Sequence, residues 1–289
     1  MAGPYTPGNV ELLTTNFNRE VHNILKANII MKEAVLTQTT SAGVDRFYKE
    51  SIRELDVNSQ TPRDAEFFSD QVVFDTLDIR PQKHGAESRI AWEDSIEPGP
   101  SLVERTTIRL ANRVQRSVNS TIWNAISENQ SAALINTLAT SAAWDNATRA
   151  NRLPHEDIAE GIGIVQGSAN NSFLQAYTAS ELYLSPKDYC FVRTNDYVMS
   201  SFDSSTPQLM ETGMMGKLLG LNVIVNPIVT ADFALVADSK KAVTWAGLQN
   251  FQTSVNYTPG KFYTFTAFDY GNAALVNPRA VCLLTNTQA

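Results

Sequence analysis

The sequence has little of the chemistry on which enzymes and metal proteins depend. Among its 289 residues there are two cysteines and three histidines. Cys190 and Cys282 each lie in an apolar run without a zinc-ligand spacing, so we interpret both as free, buried thiols. His22, His84 and His155 are far apart, and none has a cysteine or an acid at a motif spacing. The sequence therefore predicts no metal site and no cofactor.

Known catalytic motifs are missing as well. There is no nucleophile elbow, no P-loop and no zinc-hydrolase helix. The stretch from Gly161 to Gly167 differs from a dinucleotide loop in two ways. Three residues, instead of two, separate its second and last glycines, and it lies inside a predicted helix. Asp64, Glu66 and Asp70 lack the turn glycine and closing glutamate of a calcium loop. We predict a non-enzyme, with an enzyme or ligand-binding α+β domain as the alternative from another class.

Long hydrophobic runs and a basic excess are also missing. The longest apolar neighbourhood, residues 218–237, is interrupted by asparagine, proline and aspartate, whereas a membrane-spanning helix needs about 20 apolar residues. The first residues have neither the basic region nor the apolar core of a secretion signal. The formal net charge of −7 argues against a clamp that neutralises many phosphates. We expect no membrane partner and synthesis in the cytoplasm.

The composition is that of a globular protein, with 43% hydrophobic and 18% charged residues. The acidic excess is concentrated in one segment. Residues 44–97 contain 13 acidic and 7 basic side chains, a net charge of −6, whereas residues 190–289 contain 6 of each. An acidic segment with charges on both faces cannot be a core, so we expect it to project and to pack on another surface.

A long amphipathic helix is predicted from Pro100 to Gln130. Its apolar or small residues recur every three or four positions and fall on one side. The opposite side carries a row of four arginines, whose alternatives are a solvated face, pairing with acidic residues of the same or a neighbouring chain, and nucleic-acid binding. A strand-like alternation from Thr106 to Leu110 competes with the helix in its first turns. The stripe comprises Val103, Thr107, Leu110, Val114, Val118, Ile122 and Ala125, and the row comprises Arg105, Arg109, Arg113 and Arg116.

The remaining pattern predicts an α+β fold with an antiparallel or mixed sheet. An amphipathic helix that includes Phe17 and Val21 extends from Val10 to about Thr37, and another begins at Pro154 and ends near Gly167. Strands at 72–79 and 88–92 flank a turn at Pro81–Gly85 and predict a long hairpin. A long polar loop occupies residues 199–216. Later strands are predicted at residues 182–184, 189–192, 223–225, 233–236, 242–245, 261–268 and 280–284.

This order of elements resembles the major capsid proteins of tailed phages, the Hong Kong 97 type of fold. The resemblance extends over nearly the whole chain, and the order of its loose motifs is more specific than any one of them. The matching stretches are Arg89–Asp94 with Pro98, Trp144–Asp145 with Pro154, Leu182–Pro186, Gly216–Val225, Ala234–Ala242 and Asn277–Val281.

The resemblance implies an N-terminal arm, an extended loop (hairpin), a peripheral domain with a long spine helix, and a mixed α/β axial domain. It also suggests inter-subunit contacts by the arginine row and by Phe17, Val21, Lys83 and His84, and a loop at the symmetry axis that contains Pro207, Met210 and Met214. The implied boundaries are 1–43 for the arm, 44–98 for the loop, 99–130 with 240–272 for the peripheral domain, and 131–239 with 273–289 for the axial domain.

The function implied by the resemblance is that of a phage head protein. Such a subunit self-assembles as pentamers and hexamers into an icosahedral shell around double-stranded DNA, which it contacts loosely and without specificity. The implied location is the virion capsid, assembled in the host cytoplasm. Portal and a separate scaffold protein are the implied partners, because no scaffolding segment precedes the arm, and decoration proteins are allowed. An encapsulin-like nanocompartment shell is the alternative within the same fold, and we predict no lysine-to-asparagine cross-link.

Overall fold

A computed structural model describes residues 30–39, 45–49, 75–96, 102–131, 134–167, 177–198 and 216–289. These residues belong to two compact units. Unit 1 takes its residues from Met1–Asp45, Arg80–Trp123 and Trp245–Ala274, and unit 2 from Arg46–Ile79, Asn124–Thr244 and Leu275–Ala289. Within the described ranges no helix has the length and apolar character needed to cross a membrane.

The described elements confirm a mixed α+β fold. The helices are α1 (Ile30–Ala34), α2 (Trp92–Ile96), α3 (Leu102–Ile126), α4 (Pro154–Val165), α5 (Pro186–Arg193) and α6 (Ser239–Ala242). The strands are β1 (Leu36–Thr39), β2 (Asp45–Lys49), β3 (Asp75–Ile79), β4 (Gln82–Ala91), β5 (Asn136–Ala139), β6 (Glu181–Leu184), β7 (Lys217–Leu218), β8 (Leu221–Val225), β9 (Phe233–Ala237), β10 (Val243–Thr258), β11 (Phe262–Leu275) and β12 (Val281–Thr285).

Unit 1 is built on a four-stranded sheet with the order β1-β10-β11-β4. Strand β11 alternates from Phe262 to Gly271, with one face buried and the other half-buried, as expected when a sheet is covered on one side. Tyr263, Phe265 and Ala267 point into the core. Strand β4 pairs antiparallel with β11 from Phe262 opposite Ala91 onwards. This register places each side chain of β4 beside a known neighbour on β11.

The predicted long helix is confirmed as α3, and the competing strand interpretation of its first turns is wrong. Five stripe positions are buried, and all four arginines of the row are exposed. The period of 3.6 residues separates the two faces, because apolar residues at spacings of three and four share one side. The buried stripe positions are Thr107, Leu110, Val114, Val118 and Ile122.

The predicted hairpin is wrong in its pairing. Strand β3 pairs with β2 in a separate two-stranded sheet, whereas residues 82–91 form one continuous strand on β11. The predicted turn at Pro81–Gly85 therefore lies mostly inside β4. Gly85 is there for close packing, since a Cβ at this position would lie 3.2 Å from the Cβ of Phe268.

Unit 2 contains a six-stranded mixed sheet with the order β5-β12-β9-β6-β8-β7. Its central strands are continuous buried runs, as in sheets covered on both faces. Helix α4 packs on β12 and β9 at Gly161, where an added Cβ would lie 3.4 Å from both Leu284 and Val236. The glycines of this stretch therefore belong to helix packing, and no strand leads into them.

Asp157 in α4 joins the helix to the preceding loop. Its carboxylate accepts hydrogen bonds from Trp144 Nε1 at 2.8 Å and from the backbone and hydroxyl of Ser141 at 3.1 Å. Because Trp144 is fully buried, its N–H has no access to water. The carboxylate therefore satisfies a donor that would otherwise be costly to bury.

We expect Asp157→Ala to lower the free energy of unfolding by about 3 kcal/mol, because each orphaned buried donor costs about 1–3 kcal/mol. Asp157→Asn keeps one acceptor and should lose less than half as much. Urea denaturation followed by tryptophan fluorescence measures both variants. An alanine variant within about 0.5 kcal/mol of the parent would contradict this role for the carboxylate.

Three further expectations need correction. The predicted strand at 189–192 is helix α5, which Ser185 caps by accepting a hydrogen bond from the backbone N–H of Asp188. Cys190 is therefore exposed on a helix surface, whereas Cys282 is buried and its burial raises the pKa of the thiol to about 12. Residues 36–39 form strand β1, so the helical prediction to Thr37 extends too far.

Candidate assembly surface

The exposed face of α3 carries the arginine row. The first three arginines are spaced four residues apart, and the last comes three residues after the third. All four therefore lie above one another on adjacent turns. Eleven residues separate the first from the last, which is about 16 Å at 1.5 Å per residue. This arrangement forms a straight positive edge on one rigid element.

Within the described ranges, no ion pair involves any of these four arginines. Like charges at i, i+4 destabilise a helix by a few tenths of a kcal/mol per pair. A guanidinium presents five donors in a planar fork that matches a carboxylate. The row therefore carries a small cost in the subunit and can accept several carboxylates along its length.

A second candidate surface is the face of the four-stranded sheet opposite its buried side. Lys83 is exposed on β4, and its Nζ lies 4.5 Å from the ring centroid of Phe268. Arg89 lies 5.0 Å from the ring of Phe262 and forms an ion pair with Glu87 at 3.1 Å. These cations cover half-buried aromatic rings through cation–π contacts. Lys83 is thus accessible on this face, as its predicted role requires.

His84 lies on the other side of the same strand. It is buried, and its ring nitrogens contact Ser117 Oγ at 2.9 Å and the Gly271 carbonyl at 3.1 Å. Burial lowers the pKa of His84. The imidazole therefore forms its hydrogen bonds inside unit 1, and its contact with a neighbouring subunit stays a prediction. The β4 alternation could have revealed this, had residues 82–91 been recognised as one strand.

The other predicted contact residues lie outside the described residues. These are Phe17 and Val21 of the arm, and Pro207, Met210 and Met214 of the polar loop. Sequence reasoning also missed the buried pair of Lys32 and Asp269, whose charged atoms lie 2.6 Å apart. The signal was an isolated aspartate in an alternating aromatic strand, where a charge on the buried face needs a partner.

Comparison with known proteins agrees with this architecture. The Mycobacterium phage Che8 structure superposes with a TM-score of 0.64 at 12% identity, covering 86% of each chain. The capsid of a native GTA particle superposes with a TM-score of 0.63 at 11% identity, covering 90% of this chain and 91% of the other. A virus-like particle from Pyrococcus furiosus superposes with a TM-score of 0.62 at 12% identity, covering 95% of this chain and 98% of the other. At these identities the likeness establishes the fold alone.

The fold, with its long helix α3, its four-stranded sheet and its six-stranded sheet, is the Hong Kong 97 type of fold. A family model described as "Phage capsid protein" matches residues 74–284. The chain belongs to this family, and it is a structural protein, the major capsid protein of a virion. No curated protein matches the chain significantly. The family match favours a phage head over a nanocompartment shell.

Proposed function

We propose that this capsid subunit assembles as pentamers and hexamers into a closed icosahedral shell around double-stranded DNA. The observation that carries the proposal is the arginine row on the exposed face of α3, which forms no ion pair with the residues that the structure describes, in a chain of the phage capsid family. A rigid, straight row of like charges suits a repeated contact between identical subunits. The net charge of −7 supports loose, non-specific contact with the enclosed DNA.

The partner we propose for the row is the acidic segment of a neighbouring subunit. Residues 50–74 contain six acidic and two basic side chains, whereas the row offers four positive charges. Such complementarity selects the register and the partner more than it adds affinity. The acidic residues are Glu50, Glu54, Asp56, Asp64, Glu66 and Asp70.

We assign the other predicted parts to the same assembly. The arm of residues 1–43, with Phe17 and Val21, and the extended loop of residues 44–98 contact neighbours, and Lys83 offers a further contact. The axial domain places Pro207, Met210 and Met214 at the symmetry axis, while 99–130 and 240–272 form the peripheral domain. Assembly in the host cytoplasm uses a portal and a separate scaffold protein, and decoration proteins bind outside.

Electron microscopy of the purified protein tests the proposal. We expect uniform shells with fivefold and sixfold clusters, formed alone or with scaffold protein co-expressed. Shells recovered from infected cells should protect double-stranded DNA from nuclease. Cargo protein in place of DNA would support the nanocompartment alternative, and monomers under every condition would overturn both.

A further inference from the structure

Unit 1 contains a buried polar cluster that shell assembly does not explain. Lys32 on α1 donates a hydrogen bond to Asp269 Oδ2 on β11 at 2.6 Å, with side-chain exposures of 14% and 1%. The ammonium group of Lys32 also lies 5.1 Å from the ring centroid of Trp245 on β10, a fully buried side chain. One cation and one carboxylate thus share a low-dielectric site, where each depends on the other.

This ion pair fastens α1, which lies within the predicted arm, to the sheet of unit 1. Helix α1 has only five residues, and its apolar anchors are Met31 within it, at 0% exposure, and Val35 directly after it, at 4%. Lys32 provides the charged contact between them. Removing one partner of a buried ion pair is strongly destabilising, because it leaves the other charge uncompensated. The position of α1 on the sheet therefore depends on the charge state of this site.

His84 is the titratable neighbour of that pair. It lies directly opposite Asp269 in the pairing of β4 with β11, on the same buried face. Its Nε2–H donates to the Gly271 carbonyl, so in the neutral ring Nδ1 accepts from the Ser117 hydroxyl. The charged groups facing it are Asp269 from β11 and Lys32 from α1.

The other elements packed against His84 present neutral groups. Helix α3 contributes the Ser117 hydroxyl, and β10 contributes Trp245, whose ring centroid lies 5.9 Å from that of the imidazole. Asp269 Oδ1 is buried and has no hydrogen-bond partner among the described residues. Lys32 therefore occupies one oxygen of the carboxylate and leaves the other without a partner, and a second cation would arise beside this carboxylate when His84 is protonated.

We propose that His84 and Lys32 form an acid-sensitive latch, in which protonation of His84 releases α1 from the sheet of unit 1. At neutral pH the site holds one carboxylate and one cation, Lys32. A proton taken from solvent onto His84 Nδ1 adds a second cation, and the net positive charge is costly at low dielectric. The charge balance is restored when Lys32 moves to water and the imidazolium remains opposite Asp269.

The direction in which stability changes with pH follows from the pKa of the His84 imidazole. Burial lowers the pKa of His84, with the backbone hydrogen bond to Gly271 and Asp269 opposing that shift. The folded state therefore takes up this proton at a lower pH than the unfolded chain. The stability associated with the neutral ring is fully present above the ordinary histidine range and is lost as pH falls through the folded-state pKa.

Hydrogen exchange of the full chain tests the latch. Peptides covering residues 30–39 should exchange about tenfold faster at pH 5 than at pH 7.5 after correction for intrinsic rates, because local opening of this segment becomes more frequent. His84→Gln keeps a donor and an acceptor without a titratable proton, and it should change less than about twofold. The matched control His155→Gln, in unit 2, should retain the parental acid response.

A second measurement keeps the proposal testable if His84→Gln does not fold. Since coupling is reciprocal, Lys32→Met should raise the pKa of His84 in an NMR titration of the unassembled chain. An unchanged His84 pKa in that variant would overturn the latch. So would equal exchange at both pH values in the parent, or an acid response that persists in His84→Gln. Each readout concerns the single subunit and is independent of shell formation.

Discussion

Charge reversal in the arginine row is expected to stop shell assembly while the subunit stays folded. In Arg109→Glu/Arg113→Glu the row changes from four positive charges to two positive and two negative. Exposed ion pairs contribute about 0.2–1 kcal/mol each, and a reversal replaces attraction by repulsion of similar size. Since 1.4 kcal/mol is tenfold in an equilibrium constant, we expect at least about a tenfold loss of shells at fixed concentration.

The monomer should tolerate the same change. Both positions are exposed in the middle of α3, and glutamate has nearly the helix propensity of arginine. The free energy of unfolding should shift by no more than about 0.5 kcal/mol, because the change also removes repulsion along the helix. Circular dichroism and denaturation of the unassembled chain check this requirement.

A matched control and a rescue make the result specific. Arg149→Glu reverses one charge, as each member of the double variant does, at an exposed position in unit 2, and it should leave shell yield unaltered. Lysine substitutions at Glu54, Glu66 or Asp70 should restore assembly to the double variant if these carboxylates are the partners. Sedimentation and electron microscopy measure shell yield. Normal shells from the double variant would show that the row is only a solvated helix face.

A large loss of stability is expected from Gly271→Ala. A Cβ on Gly271 would lie 2.6 Å from Trp245 Cε2 and 2.7 Å from Cζ2 and Nε1, distances at which something must shift. Trp245 is fully buried, and the Gly271 carbonyl accepts the hydrogen bond from His84. Overpacking costs about 1–3 kcal/mol, and we expect the upper end because a rigid indole cannot give way. Thermal and urea unfolding of the unassembled chain measure it.

Gly216→Ala is the matched control, since no atom of the described residues lies within 4 Å of a Cβ there. It should be neutral or slightly stabilising, because alanine restricts the unfolded chain. Trp245→Phe in the Gly271→Ala background removes the atoms in conflict, so the two changes should show favourable coupling in a double-mutant cycle. If Gly271→Ala were as stable as Gly216→Ala, the close approach of strand and indole would be refuted.

Periodic patterns in the sequence predicted those elements whose own residues form a buried face. The stripe of α3, the proline start of α4 at Pro154 and the buried run of β9 are local patterns, so each was recognised. Strand β5 was missed because its four residues show no apolar run and it pairs parallel with distant β12. Residues 189–192 were predicted as a strand because they form an apolar run, although Ser185 and Pro186 ahead of them are the start signal of a helix.

The sequence by itself determined the fold class, the two faces of α3 and the absence of familiar catalytic motifs, because these depend on residue types at short spacings. Only the tertiary structure decided that β4 pairs with β11, that His84 faces the core, and that Lys32 meets Asp269. The two members of that ion pair are 237 positions apart in the chain. Contacts of this kind leave no periodic trace, since they arise when strand pairing brings distant segments to one buried site.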